Sequence, residues 1–339
     1  MSLTGSPLSA VTAFAPEGSI NFQPLEGCAC PVCSGAVTEG GGRAPLEADL
    51  GLAQLDARGF LLDVSSPQSD LVGTVMANGL QILTAYESAI QIARPNGTWA
   101  DHTPSLEVTY SFDISRIGEG YAAFDAAYQA VTRDILDHYA ELSGLTFREV
   151  KGDTAPNIQF QNIVGQSGGG GWASYPGSGT MYNAIGYPWT EGDILPGSYV
   201  YHTILHEVGH SVGLAHPGSY NGSNVYPDDS VVWNDSRQYS VMSYNRASVT
   251  GAQTVGSAGT LMLHDILALQ IEYGANWSTR SGDTVYGFNS TAGRAAYGFD
   301  ADHLTSAFAI WDGGGVDTLD FSGFVGGTVM DLRQGGFSS

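Results

Sequence analysis

Basic side chains are scarce in this sequence. Its 339 residues include 12 Lys and Arg against 34 Asp and Glu, the formal net charge is −22, and Lys151 is the only lysine. Binding of nucleic acid requires clustered basic groups that neutralise phosphates, so nucleic acid is not an expected partner. The excess of carboxylates favours divalent cations such as calcium, which takes oxygen ligands. The alternative interpretation is that the acidity only keeps a secreted protein soluble.

Long apolar runs are also missing. No stretch approaches the roughly eighteen apolar residues that a membrane-spanning helix needs, so no membrane span is predicted. The N-terminus lacks the basic start and the apolar core of a signal peptide. The length accommodates one sizeable domain plus a smaller one.

Cysteine is confined to one short segment, at Cys28, Cys30 and Cys33, so disulfides cannot stabilise the rest of the chain. Residues 1–70 are rich in Gly, Ala, Pro and Ser, which predicts a largely irregular leader with a short helix near 46–55. Stronger patterns follow it. Apolar spacing predicts helices over Tyr121–Leu142 and Thr260–Tyr273, and a further helix is predicted over Tyr199–Leu214. Alternation predicts a strand over Glu107–Phe112, and Thr146–Val150 and Asn157–Phe160 are predicted to be further strands of the same sheet.

One stretch carries the residues of a metal centre. His206 and His210 are four positions apart, so they lie on one face of a helix and can bind the same zinc ion. Glu207 is placed between them to deprotonate a zinc-bound water. Gly213 can end the helix in a left-handed conformation, after which the chain turns back and His216 supplies a third imidazole. Three histidines leave one position open, as in catalytic zinc sites; the alternative is a core helix whose histidines only form hydrogen bonds.

A second motif supports the zinc interpretation. The segment Ser240–Tyr244 reads Ser-Val-Met-Ser-Tyr and follows about thirty residues later, where a metzincin carries its Met-turn. Met242 would form an apolar floor under the zinc, and Tyr244 would bring a phenol near the metal. His202 and His264 match no ligand position and are expected to be ordinary polar or partly buried residues.

With these motifs the chain resembles the serralysins, bacterial metzincin zinc metalloproteases of the RTX type. The resemblance runs from about Asn78 to near the end and includes the segments 97–99, 108–112, 216–221, 265–270, 273–276, 282–288 and 311–314. It implies an α+β fold with a leader or propeptide at 1–70 and a metzincin catalytic domain at 71–275. That domain should contain a twisted mixed sheet and three main helices. A calcium-binding β-roll should begin at 276–339, where we expect the sequence to be truncated.

The resemblance also implies a function, a secreted zinc-dependent endopeptidase that hydrolyses peptide bonds in protein substrates. Glu207 would act as general base and then general acid, while Tyr244 would be an additional zinc ligand and would stabilise the oxyanion. The family is exported by type I secretion machinery through a C-terminal region absent here, so an extracellular or cell-surface location is expected. A proteinaceous inhibitor is a candidate partner. The alternative function is a catalytically inactive, calcium-stabilised surface or binding module.

The resemblance assigns two further sites. After the glycine cluster at 168–171, four residues resemble the edge strand that pairs with extended substrate in the family: Trp172, Ala173, Ser174 and Tyr175. A surface loop is the alternative there. For a structural calcium ion, the resemblance points to two loops of the β-roll and to the residues Arg280, Gly282, Thr284, Asp312, Gly314 and Asp317.

The cysteine segment departs from the family, whose members have little or no cysteine. A thiolate from Cys28, Cys30 or Cys33 could occupy the open zinc position and keep the enzyme latent. The surrounding residues do not match the switch motif of matrix metalloproteinases. The alternatives are an internal disulfide with one spare thiol, a small accessory metal or redox site, and a leader that blocks the cleft through another residue.

Overall fold

The computed structural model describes most of the chain beyond residue 71. Described are Thr12–Ala13 and residues 72–338, except 94–96, 104, 116–117, 152–153, 165–169, 178–180, 187–193, 253–256, 300–306, 327 and 333. The predicted leader helix near 46–55 lies outside the described residues. So do Cys28, Cys30 and Cys33, and with them the proposed thiolate switch.

The described residues form five α-helices: α1 (Ala85–Ile92), α2 (Trp99–His102), α3 (Ala126–Leu142), α4 (Tyr199–Ser211) and α5 (Leu263–Tyr273). The three longest occupy the segments where helices were predicted. The short helices α1 and α2 were not predicted. A capping box opens α1, in which Glu87 N donates to Thr84 Oγ1 and Thr84 N donates to Glu87 Oε2. None of the helices in the described part is both long and apolar enough to cross a membrane.

One mixed sheet lies in the N-terminal half of the described chain. Its strands are β2 (Glu107–Ser111), β3 (Tyr121–Ala122), β4 (Thr146–Glu149), β5 (Ile158–Ile163), β6 (Gly171–Ala173) and β7 (Met181–Gly186). The order is β4-β2-β5-β7-β6, and the short β3 pairs with β5. The first four strands in this order are parallel, whereas β6 runs antiparallel to β7, with Trp172 opposite Ala184. This order makes β6 an edge strand.

Two helices begin later than their periodicity predicted. The helix α3 begins at Ala126 rather than at Tyr121, because Asp125 caps it by accepting a hydrogen bond from Tyr128 N (2.9 Å). Tyr121 belongs instead to β3. The helix α5 begins at Leu263, three residues after its predicted start, and its first turn is fixed by Asp265. In both cases a local hydrogen bond to a carboxylate sets the boundary, which apolar spacing cannot reveal.

The helix α4 lies at the centre of the main core. All its residues from Val200 to Ser211 are buried, and it packs against β6, β7 and α3. The hydroxyl of Tyr139 on α3 donates to the Leu205 carbonyl of α4 (2.8 Å). At the helix end, the hydroxyl of Tyr273 on α5 donates to the Val212 carbonyl (2.6 Å). Neighbouring helices thus fix both the middle and the end of the helix that carries the metal-binding motif.

The C-terminal segment has its own small core. Short strands β8 (Val285–Gly287), β9 (Phe308–Ala309), β10 (Thr318–Asp320) and β11 (Phe337–Ser338) recur along it. The strands β8 and β10 are parallel, and β9 and β11 flank Thr12–Ala13, which we call β1. A cluster of aromatic and aliphatic side chains fills the space between them, built from Tyr286, Tyr297, Phe299, Phe308, Ile310 and Leu319.

Candidate metal centre and active site

Three histidines meet at the end of α4. His206 and His210 lie one turn apart on the helix, which ends at Ser211. Gly213 follows with a φ of +104°, a conformation that glycine adopts at little cost. The chain then reverses and brings His216 back, so that its Nε2 lies 3.2 Å from His206 Nε2 and 3.0 Å from His210 Nε2. These three buried residues form a cluster whose ligand atoms fit one metal ion.

The spacing and the orientation of the rings fit zinc. Two nitrogens bound to one tetrahedral zinc are separated by about 3.3 Å, close to the observed distances. Each Nδ1 bonds to a main-chain carbonyl oxygen: His206 to Val241 (2.9 Å), His210 to Leu214 (2.7 Å) and His216 to Tyr220 (3.1 Å). Because a carbonyl oxygen only accepts, each Nδ1 carries the proton and the Nε2 atoms face the centre.

Burial keeps the first two histidines neutral. It lowers the pKa of His206 well below its ordinary value, and the adjacent His210 lowers it further. Burial likewise lowers the pKa of His210 to about 4. A neutral imidazole with its proton on Nδ1 presents the Nε2 lone pair, which is the form that binds metal. Two lone pairs therefore converge with His216 Nε2, and a divalent cation bound there would stabilise this arrangement.

A buried carboxylate holds the segment that orients the first histidine. Asp265 accepts hydrogen bonds from Ser240 Oγ (2.6 Å), Val241 N (2.8 Å) and Met262 N (2.9 Å). The carbonyl of Val241 in turn accepts the hydrogen bond from His206 Nδ1. Asp265 therefore controls the position of His206 through one intervening residue.

Met242 packs directly against the helix turn that carries His210. It is fully buried, and a Cβ added at Gly209 would lie 2.6 Å from the Met242 sulfur. A glycine at position 209 is therefore needed for the Met-turn segment to approach α4 this closely.

Glu207 lies where α4 meets the edge strand β6. Its side chain is buried, and a Cβ added at Gly171 would lie 2.6 Å from Glu207 Cγ and 2.9 Å from Glu207 Oε1. Only glycine therefore leaves room for this carboxylate against β6. Trp172 and Ala173 continue the strand away from that contact.

Tyr244 lies beside the histidines. Its ring centroid is 4.6 Å from that of His216 and 5.8 Å from that of His206. Its backbone N–H donates to the Tyr220 hydroxyl (3.3 Å), which donates to the buried carboxylate of Asp235 (2.8 Å). This series of hydrogen bonds positions the Tyr244 backbone next to the metal centre.

Comparison with known proteins agrees with this geometry. A family model described as "Dual-action HEIGH metallo-peptidase" matches residues 114–226, and one described as "Peptidase M10 serralysin C terminal" matches residues 275–339. Metallopeptidase AprA of Pseudomonas marginalis is 32% identical over 321 residues, which cover 87% of this chain and 67% of that protein. The chain belongs to the serralysin family of metallopeptidases.

Other serralysins match a shorter part of the chain. Serralysin B of Dickeya chrysanthemi is 35% identical over 269 residues, covering 73% of this chain and 56% of that protein. Serralysin of Proteus mirabilis is 37% identical over 282 residues, with the same two coverages. The chain therefore spans between 56% and 67% of the length of these relatives.

In this member of the serralysin family, some of the remaining predicted residues lie at the metal centre and others lie away from it. Trp172 and Ala173 lie in the edge strand, whereas Ser174 and Tyr175 follow its end. The Tyr175 ring contacts the His210 ring edge-on, with 5.5 Å between centroids. His202 lines the cavity beside the metal centre, and His264 stacks on Tyr239 outside it.

The two aspartates carried over for calcium are held in adjacent loops of the C-terminal segment. Asp317 accepts a hydrogen bond from Thr284 N (3.0 Å), and Asp312 accepts one from Gly314 N (2.8 Å). The Tyr286 hydroxyl donates to the other oxygen of Asp312 (2.5 Å). Burial and then the charge of Asp312 raise the pKa of Asp317 to about 6. The two carboxylates thus disfavour each other's ionisation.

The side chain of Arg280 does not reach toward the two aspartates. Its φ of +47° is a left-handed conformation, and its guanidinium donates to Glu141 (2.9 Å) and to the Trp311 carbonyl (2.9 Å). The Gly282 carbonyl accepts a hydrogen bond from Thr284 Oγ1 (3.0 Å). The guanidinium of Arg280 is thus bonded to groups other than the two aspartates.

Sequence reasoning missed several residues of the site. Asp265 and Tyr220 hold the ligands through hydrogen bonds, and Arg237 lines the cavity beside Glu207. Tyr220 lay within a segment that matches the family, but no spacing rule gives it a role. The positions of Asp265 and Arg237 relative to the histidines depend entirely on tertiary packing.

Proposed function

We propose that this protein is a zinc-dependent endopeptidase that hydrolyses peptide bonds in protein substrates, with His206, His210 and His216 as the zinc ligands. The observation that carries the proposal is the convergence of three Nε2 atoms beside a buried glutamate. Every Nδ1 is already bonded to a carbonyl, so the donor set matches zinc in number, chemistry and spacing.

When bound, zinc supplies a Lewis acid that polarises the scissile carbonyl and lowers the pKa of an attacking water to ~7. Glu207 removes the proton from that water and then delivers it to the departing amine. Its burial against Gly171 fixes the carboxylate next to the histidines. The phenol of Tyr244 lies close enough to the centre to donate to the developing oxyanion or to contact the metal before substrate binds.

Substrate would bind as an extended strand along β6. The support is the position of β6 at the edge of the sheet, together with the direct contact of Gly171 with Glu207. A peptide paired with Trp172 and Ala173 is thereby carried past the catalytic carboxylate. Recognition through the main chain tolerates many side chains, which favours a broad range of protein substrates.

We also propose a structural calcium ion between the loops that carry Asp312 and Asp317. Both carboxylates are buried, and the charge of Asp312 raises the pKa of Asp317. A divalent cation with oxygen ligands would offset this repulsion. Its coordination could be completed by the carbonyl oxygens of Arg280, Gly282 and Gly314 and by the side chain of Thr284.

For the whole protein we propose export from the cell and latency imposed by residues 1–70. Extracellular action is supported by membership of the serralysin family, whose type I export the resemblance implies. Latency through Cys28, Cys30 or Cys33 follows only from the chemistry of thiolate and zinc.

The test is cleavage of a quenched fluorescent casein by the full chain and by a version starting at Asp70, with and without a zinc chelator. Chelator-sensitive cleavage supports the endopeptidase, and cleavage confined to the shorter version supports latency. The control is Glu207→Gln, which should retain zinc and lose about 10²- to 10⁴-fold in kcat because an amide cannot accept the proton. Zinc-loaded protein without activity in either form would instead favour the inactive binding module.

A further inference from the structure

A cavity opens beside the metal centre between α4 and the segment after the Met-turn. Its wall includes the carboxylate of Glu207, Gly171 of the edge strand, and Tyr244, the candidate oxyanion donor. Thr203 and the cationic side chain of Arg237 also line it. A peptide paired with β6 therefore passes the mouth of this cavity, and a side chain next to the scissile bond can enter it.

Arg237 is the cationic group of the cavity wall. Its Nε donates to the Ser243 carbonyl (3.2 Å), and its backbone N–H donates to the Asn245 carbonyl (3.0 Å), so both ends of the residue are fixed to the loop after the Met-turn. Burial lowers the pKa of Arg237 to about 10, with the nearby Arg246 acting in the same direction. The guanidinium is still charged at neutral pH.

No carboxylate in the described part of the chain forms an ion pair with Arg237. By contrast, Arg133, Arg148, Arg280 and Arg294 each form one, with N–O distances of 2.8 to 2.9 Å. Three tyrosine side chains lie near enough to act electrostatically on Arg237, and these are Tyr199, Tyr220 and Tyr244. In a protein of net charge −22, a buried cation that lines a cavity and forms no ion pair with a described carboxylate can bind an anion.

A second donor group lines the same cavity. His202 is 3% exposed, and its Nδ1 has no hydrogen-bond partner among the described residues. An imidazole nitrogen that carries its proton can donate a hydrogen bond to a bound carboxylate.

We propose that this cavity binds the carboxylate side chain of a substrate Asp or Glu that flanks the scissile bond, with Arg237 as the specificity-determining residue. This inference rests on the proposed endopeptidase function. Because Glu207 lines the cavity and delivers the proton to the departing amine, the acidic residue is the one on the amine side of the bond. Arg237 neutralises the carboxylate of the substrate side chain through the terminal nitrogens of its guanidinium. Thr203 and Tyr244 line the cavity around that side chain.

The test compares matched quenched fluorescent peptides that differ only in the residue after the scissile bond, which is Glu, Gln, Leu or Lys. A second set varies the residue before the bond. For the zinc-loaded protein, assayed both as the full chain and as the version starting at Asp70, kcat/KM should favour Glu over Gln by about 10- to 100-fold at the position after the bond, the range expected for a hydrogen bond to a charged group. Because the readout is a ratio, a general loss of activity in a variant does not affect it.

Three variants decide the role of Arg237. Arg237→Gln should bring the Glu-to-Gln ratio close to one, Arg237→Lys should keep part of it, and Arg237→Glu should shift the preference to the Lys peptide. The exposed neighbour Arg246→Gln is the matched control and should keep the original ratio. Equal cleavage of the Glu and Gln peptides by the unaltered protein, or an unchanged ratio in Arg237→Gln and Arg237→Glu, would overturn the proposal.

Binding of the same peptides to zinc-loaded Glu207→Gln protein, measured by calorimetry, separates this inference from the proposed function. Tighter binding of the Glu peptide that disappears in the double variant Glu207→Gln, Arg237→Gln supports the cavity even if no peptide is cleaved. Absence of cleavage by both the full chain and the version starting at Asp70 contradicts the endopeptidase, whereas equal binding of the Glu and Gln peptides contradicts the cavity.

Discussion

The histidine centre and the acidic site of the C-terminal segment bring their candidate ligands together in different ways. At the first site, burial keeps His206 and His210 neutral, and hydrogen bonds to carbonyl oxygens fix their rings. At the second, the buried carboxylates of Asp312 and Asp317 repel each other when ionised. Neutral ligands can be preorganised by the fold alone, whereas clustered carboxylates need a cation to offset their repulsion.

Removal of each metal would test this contrast, with the largest expected effect on activity. A zinc-selective chelator should reduce peptide cleavage to background and leave the native near-UV circular dichroism nearly unchanged, because the hydrogen bonds of the three histidines do not depend on the ion. Removal of calcium should reduce hydrogen-exchange protection in residues 276–338. A calcium concentration a hundredfold above its Kd stabilises a site by about 2.7 kcal/mol. Loss of the native near-UV signal on zinc removal would contradict preorganisation.

Tyr244→Phe should cost about 2–4 kcal/mol of transition-state stabilisation, the usual effect of losing one oxyanion donor. The measurement is kcat/KM with zinc content determined in parallel. Tyr226→Phe is the matched control, because the Tyr226 hydroxyl donates to the Trp233 carbonyl away from the metal centre. A loss confined to zinc content would show that the phenol serves binding of the metal rather than the reaction.

Asp265→Asn should weaken zinc binding about 10- to 100-fold, the range observed when a residue that orients a ligand is changed. The asparagine amide cannot accept all three hydrogen bonds, so the free energy of unfolding should also fall by about 1.5–3 kcal/mol. Chelator competition and urea unfolding measure the two effects. The exposed Asp229→Asn serves as control, and equal zinc affinities in the two variants would exclude a positioning role for Asp265.

Acid should weaken the histidine centre and the ion pairs of Glu141 in different pH windows, with the smallest effect of the series. His210 has a folded pKa of about 4, below its ordinary 6.5, so the unfolded chain binds more protons and stability falls from pH 6.5 to 4. Burial alone would raise the pKa of Glu141, but His138, Arg294 and Arg280 hold it well below 4.5. The contribution of Glu141 to the free energy of unfolding is therefore present above pH 4.5 and lost below that value.

Urea unfolding of the metal-free protein between pH 7 and pH 3 measures these windows. Glu141→Gln should remove about 1–2 kcal/mol above pH 4.5, the net worth of charge-assisted hydrogen bonds, and should abolish the further loss below it. Glu141 also lies 3.8 Å from His138 Nδ1, and burial lowers the pKa of His138 to about 4, so Glu141→Gln should in addition deepen the decline between pH 6.5 and 4. An unchanged loss below pH 4.5 in Glu141→Gln would contradict the assignment of that window to Glu141.

Much of the fold follows from patterns within the sequence. The periodicity that predicted α3 arises because this helix buries one apolar stripe, and the spacing of His206, His210, Gly213 and His216 needs only helix geometry and one glycine. The boundaries were less predictable. The start of α3 depends on capping by Asp125, and short helices such as α1 contain too few residues for a clear period.

The part of the active site that escaped prediction consists of contacts between distant segments. Gly171 and Glu207 are 36 positions apart, and only the packing of β6 on α4 shows that a side chain at 171 would displace the carboxylate. Arg237 is separated from Glu207 by a similar length of chain. No local pattern distinguishes this arginine from one on the surface.

The sequence by itself determined the chemistry of the metal centre, because helix geometry and the left-handed conformation of Gly213 are local properties of the backbone. Tertiary structure decided how that chemistry is oriented and what it can select. The proton positions on the histidines depend on the carbonyls of Val241, Leu214 and Tyr220. The proposed anion binding in the adjacent cavity depends on Arg237, which has no paired carboxylate among the described residues. Hydrogen bonding and electrostatic neutralisation are properties of groups adjacent in space, which sequence order does not specify.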